Sequence, residues 1–175
     1  PVSTFKCQLG WNCYATTNTG NFNRFTDCTI AGNNHVDVMN TLEISGTNTE
    51  NMNNLITITA ATNQRHFYLN DANAKLILRY LKLVGGDVSS YSNSSPDSWG
   101  GSICIWTNGG ELNLYSSIVF NNKAVWGGGI IAEGASNTNK NAIMNIYNSI
   151  IQNNEATYYG GGIYMQIAVG TIENT

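Results

Sequence analysis

Three copies of one short pattern punctuate the second half of the chain: Trp99-Gly100-Gly101-Ser102-Ile103, Trp126-Gly127-Gly128-Gly129-Ile130 and Tyr159-Gly160-Gly161-Gly162-Ile163. A second unit precedes the later two. Leu112-Asn113-Leu114-Tyr115-Ser116-Ser117-Ile118-Val119-Phe120-Asn121-Asn122 corresponds to Met144-Asn145-Ile146-Tyr147-Asn148-Ser149-Ile150-Ile151-Gln152-Asn153-Asn154, and a diverged copy runs from Leu76 to Val88. The copies start 36 and 32 residues apart, and the variation falls in Ser-, Asn- and Gly-rich stretches. A fixed period of this length is the signature of a repeat architecture.

Within each copy apolar and polar residues alternate over four to six positions, the period of a half-buried strand, and no helical stripe occurs. Leu112, Leu114, Met144 and Ile146 are expected to point inward, with Asn113, Tyr115, Asn145 and Tyr147 outward. Parallel strands in an open sheet need long crossovers. A coil that pairs with itself one rung later needs none, and its inward residues stack into a continuous core. The expected fold is therefore all-β, a right-handed single-stranded parallel β-helix. Asn121, Asn122, Asn153 and Asn154 fall at one bend of successive rungs, where an Asn ladder can form, and the glycines before each Ile mark a sharp corner. Residues 41–175 are assigned to the rungs and read as truncated at the C-terminal end, a piece of a longer chain. Residues 1–40 lack the period and are assigned as an irregular, disulfide-bearing N-terminal cap.

The polarity of the chain comes from Asn, Thr and Ser: charged residues make up 11% against 42% hydrophobic, which is not the profile of a disordered segment. Eight basic residues spread thinly under a net charge of -3 provide no basic face for nucleic acid. No apolar run reaches the length of a membrane span.

Of the four cysteines, Cys7, Cys13 and Cys28 cluster near the start. They lack zinc-site spacing, and a disulfide in a secreted cap is the better reading, as Cys7–Cys28, Cys13–Cys28 or Cys7–Cys13. Cys104 lies between Ile103 and Ile105, so alternation points it outward as a thiol open to an intermolecular bond. Asn93-Ser94-Ser95 is a glycosylation sequon in a Ser-rich stretch. These features place the chain outside the cell or on its surface.

The alternation of Gly128-Gly129-Ile130 and Gly161-Gly162-Ile163 with Val119-Phe120-Asn121-Asn122 and Ile151-Gln152-Asn153-Asn154 resembles the repeats of polymorphic outer-membrane-type and related pectin-lyase-like surface proteins. Those repeats pair a Gly-Gly-Ala-Ile-like motif with a Phe-x-x-Asn-like one. This chain departs from them with Val or Ile in place of Phe and Gly or Ser in place of Ala. The resemblance runs from about Leu42 to the end. It implies the parallel β-helix and leaves the activity open, because the fold hosts enzymes and inert surface proteins alike.

Polysaccharide cleavage on such a scaffold needs acids and bases converging on one groove. Here Arg79 with Asp71 or Asp87 is the one acid–base grouping the spacing suggests, and it reads as solvated surface charge. No catalytic residue, metal ligand or cofactor site is assigned. Trp99, Trp126 and Tyr159 form one aromatic column and Tyr115 and Tyr147 a second, each a candidate ligand face or a ladder that ties rungs together. The expected function is that of a non-enzymatic structural or adhesive surface protein, a rigid unit of a filament, coat or adhesin. Self-association or other surface proteins are the expected partners, with glycans next. A polysaccharide-binding or lyase-like protein is the alternative.

Overall fold

The computed structural model describes residues 5–8, 12–15, 20–23, 27–30, 35–46, 51–91, 96–135 and 141–175, with side chains from residue 27 onward. Strands β1 (Phe5–Gln8) and β2 (Asn12–Ala15) form an antiparallel pair, and β3 (Gly20–Asn23) follows. The chain then repeats one circuit of three strands. The first circuit is β4 (Cys28–Ile30), β5 (Val36–Val38) and β6 (Thr41–Ser45). The next is β7 (Ile56–Thr59), β8 (Phe67–Leu69) and β9 (Lys75–Arg79), then β10 (Leu81–Val84), β11 (Ile103–Ile105) and β12 (Gly110–Tyr115). The later circuits gain a short extra strand: β13 (Ile118–Phe120), β14 (Lys123–Trp126), β15 (Ile130–Glu133) and β16 (Ala142–Tyr147), then β17 (Ile150–Gln152), β18 (Glu155–Tyr159), β19 (Ile163–Gln166) and β20 (Ala168–Glu173).

Corresponding strands pair in parallel and build three walls. The first is β4-β7-β10-β13-β17 with β2 and β1 beyond β4; the second is β5-β8-β11-β15-β19; the third is β3-β6-β9-β12-β16-β20. The molecule is a parallel β-solenoid. Parallel pairing begins ahead of Thr41, with β3 on β6, β4 on β7 and β5 on β8.

The register explains the alternation. In the third wall Leu42, Leu76, Leu112 and Met144 stand in line, as do Ile44, Leu78, Leu114 and Ile146, all without solvent contact. Val36, Phe67, Ile103 and Ile130 do the same in the second wall, and Ile58, Leu83 and Val119 in the first. Each such side chain contributes roughly 1.5–3 kcal/mol by leaving water.

The corners repeat too. The residue after each of β9, β12, β16 and β20 takes a left-handed conformation: Tyr80, Ser116, Asn148 and Asn174, with φ of 55°, 45°, 49° and 52°. The next serine then turns inward. Ser117 Oγ accepts from the Leu81 N–H and Ser149 Oγ from the Ser117 N–H, while the two hydroxyls donate to the carbonyls of Tyr115 and Tyr147.

At the corner after the first wall, the paired asparagines divide the work. Asn121 and Asn153 hold the left-handed turn and face solvent. Asn122 and Asn154 alone form the ladder: Asn122 Nδ2 donates to Asn154 Oδ1 at 2.9 Å, and the Asn122 N–H reaches the same oxygen at 3.0 Å. Of the four residues expected in the ladder, Asn122 and Asn154 turn their amides to each other, while Asn121 and Asn153 turn theirs to solvent. A second ladder runs along the third wall, where Asn145 Nδ2 donates to Asn113 Oδ1 at 3.1 Å.

His66 is wholly buried beside the second wall, with Nε2 3.0 Å from the Ile58 carbonyl oxygen and Nδ1 3.0 Å from Ser102 Oγ. Burial lowers its pKa to about 4, against 6.5 when exposed. The native state thus binds fewer protons than the unfolded one, and stability rises with pH through that window. Denaturant unfolding is expected to show this contribution in full above pH 6.5 and to lose up to ~3 kcal/mol of it as the pH falls toward 4. His66→Gln should flatten that slope.

Among the described residues the free thiol is Cys104. Cys28 is 6% exposed on β4. The side chains of Cys7 and Cys13, and all of Asn93, lie outside the described residues.

Candidate functional site

Outward residues of the second wall stand in one line: Tyr68, Cys104, Ile131 and Tyr164. Two positions on, Glu133 stands beside Gln166, and Trp106 follows Ile105 as Glu133 follows Ala132 in the neighbouring strand. Trp106, Glu133 and Gln166 therefore share the outer face with the first line.

The aromatic-Gly-Gly units fold the chain flat against this face. Gly100, Gly127 and Gly160 take φ of 67°, 60° and 66°. A Cβ on them would meet the Cβ of Cys104, Ile131 and Tyr164 at 2.9, 2.8 and 2.8 Å, so no side chain fits between. The result corrects the reading of Cys104. Its side chain does point outward, yet it is completely covered, and burial pushes its thiol up to about 11. It is not placed for an intermolecular bond. Native protein is expected to react with a thiol reagent at Cys104 only after unfolding, which a labelling time course with mass analysis would read directly.

The preceding aromatics line up along the coil. Trp99 stacks on Trp126 with ring centroids 5.2 Å apart and planes 23° from parallel, and Trp126 meets Tyr159 at 5.0 Å. Trp106 meets Trp99 edge-on at 4.9 Å, and Tyr164 meets Trp126 edge-on at 5.3 Å. The Tyr164 hydroxyl donates to Gln166 Oε1. Burial raises the Glu133 carboxyl above its usual range. Below, Arg65 is 3% exposed, places its guanidinium 5.4 Å from the Tyr68 ring centre, and donates to the Pro96 and Asp97 carbonyls.

The second aromatic column lies on the third wall and is closed on itself. Tyr115 and Tyr147 stack at 5.3 Å and 11°. Arg79, one rung earlier, places its guanidinium 4.1 Å from the Tyr115 ring centre, so both faces of that ring are occupied. Arg79 also pairs with Glu43 at 3.1 Å rather than with Asp71 or Asp87. Asp71 accepts from Asn73, and Asp87 from Ser89. Lys75–Glu111 and Lys123–Glu155, both 2.9 Å, likewise tie one circuit to the next.

A concavity of about 230 Å³ ahead of the third wall is lined by Lys75, Gly110, Glu111 and Ile143, and its charges are already paired with each other. Among the described residues, no group of three or more His, Cys, Asp or Glu is placed to hold a metal ion, and no helix is long and apolar enough to cross a membrane.

The circuit ending in Gln166 decides the comparison with known proteins. Residues 148–166 match the Chlamydia polymorphic membrane protein repeat. No curated protein and no solved structure matches the chain. The polymorphic membrane protein repeat covers the left-handed Asn148, the ladder residue Asn154, the glycines that press on Tyr164, and β17, β18 and β19. The matched residues thus include corner and ladder groups of the coil. Arg65, Trp106, Glu133 and Tyr164 lie outside the sequence-based candidates. The signal that could have found Trp106 and Glu133 is parity, since they stand two residues beyond Cys104 and Ile131.

Proposed function

We propose that the chain is a rigid, non-enzymatic unit of an extracellular surface protein, and that it works by adhesion through the outer face of its second wall. The observation that carries this reading is the polymorphic membrane protein repeat, seated on the coil that shapes this face. The disposition of charge supports it. Glu43, Glu111 and Glu155 each pair with a base on another circuit, an arrangement that commits these carboxylates to holding rungs together. A disulfide from Cys28 to Cys7 or Cys13 would staple the first circuits, and a glycan at Asn93 would fit the same compartment.

Beads coated with the protein are expected to bind cell monolayers several-fold above albumin-coated beads, with free protein competing. Binding no greater than the albumin control would contradict adhesion.

A further inference from the structure

Among the described residues, three buried side-chain atoms lack a hydrogen-bond partner: Arg65 Nε, Trp99 Nε1 and Glu133 Oε2. All three flank the outer face of the second wall. Arg65 lies over Tyr68, Trp99 against Trp106, and Glu133 in the line that Trp106 begins. Other buried polar side chains among the described residues are paired, as at His66, Ser117, Asn122 and Ser149. A buried polar group left unpaired costs about 1–3 kcal/mol, and natural proteins keep few of them. Their gathering on one face, beneath half-buried tryptophans, needs a cause beyond the fold.

We propose that this face binds a neutral saccharide, with Glu133 and the Trp99 indole N–H pairing its hydroxyls and the partly exposed Trp106 ring covering its apolar ring face. The chemistry selects that class. The unpaired groups include donors and an acceptor, and a hydroxyl both donates and accepts, so one polyol answers both. An anionic sugar would approach the Glu133 carboxylate, and among the described residues no group of three or more His, Cys, Asp or Glu stands there to hold a cation. Indole rings offer a flat apolar surface with a polar edge, which suits the two-sided character of a pyranose. Trp106 lies edge-on against Trp99 and is partly exposed, so a shift of this one ring opens the Trp99 edge and lets the same ring close over a bound sugar.

This inference names the partner of the adhesive face and so rests on the reading above. Its test is calorimetric titration of the protein with cellohexaose, laminarihexaose and chitohexaose, with trigalacturonate as the acidic comparison. At least one neutral oligosaccharide is expected to bind and to quench tryptophan fluorescence. Glu133→Gln and Trp106→Ala are each expected to weaken that binding about tenfold or more. Tyr115→Ala on the third wall should leave it unchanged. Glu133→Gln changes no volume, which keeps the test sound if Trp106→Ala lowers stability. Failure of every neutral sugar to bind would overturn the proposal, as would equal binding by the Glu133→Gln and Tyr115→Ala proteins. Bead adhesion that persists alongside such a failure would leave adhesion standing and assign the face to a protein partner. Loss of both would remove the adhesive reading as well.

Discussion

Replacing Gly128 by alanine is expected to destabilise the protein by about 3 kcal/mol or more, and Gly162→Ala by less than about 1 kcal/mol. The two glycines belong to consecutive copies of one motif, Gly128 as its second glycine and Gly162 as its third. A Cβ on Gly128 would stand 2.5 Å from the Gly161 carbonyl oxygen and as near the Glu155 carbonyl carbon. Both obstacles are backbone on the following circuit, already fixed by the Gly128 N–H bonding to the Gly160 carbonyl at 3.0 Å and the Lys123–Glu155 register. Relief would require two rungs to separate, which breaks ladder bonds on both sides. At Gly162 the added carbon meets only the Ile151 Cγ2 at 3.4 Å, an ordinary contact. Urea unfolding of both variants measures the difference. Equal midpoints would mean that the circuits are not packed this closely.

Asn122→Ala is expected to cost about 3 kcal/mol, while Asn121→Gly changes stability by less than about 1 kcal/mol. Asn122 has no solvent contact, and its amide serves four partners. Oδ1 accepts from the Gly86 N–H at 2.8 Å; Nδ2 donates to the Phe120 carbonyl, to Asn154 Oδ1 and, at 3.4 Å, to the Leu83 carbonyl. Truncation leaves the buried Gly86 N–H without its acceptor and takes a donor from the Phe120 and Leu83 carbonyls and Asn154 Oδ1. Asn121 supplies only a left-handed backbone at φ 54° and an exposed side chain, a position that glycine fills without strain. Reversal of the order would show that the first asparagine of the pair, and not the second, faces the ladder.

These two variants also mark where the sequence is readable. Alternation alone placed Leu76, Leu112 and Met144 in one inward stack, because a strand with a period of two has no other way to bury them. The repeat located the corners, yet it could not separate Asn121 from Asn122, which differ only in backbone torsion. Parity aimed Cys104 outward correctly and misjudged its exposure. What covers an outward residue depends on how the connecting chain folds back, and here Gly100 lies directly upon it. Arg65 and Glu133 escaped notice for a related reason. Their significance lies in partners they lack, a property of the assembled face that no local pattern carries.

The measurement that bears most directly on the account is immunogold labelling of intact source cells with antibody raised against the folded chain, before and after permeabilisation. A surface solenoid predicts label on unpermeabilised cells that permeabilisation does not increase. Label that appears only after permeabilisation would contradict the surface role, and with it the adhesive reading of the second wall.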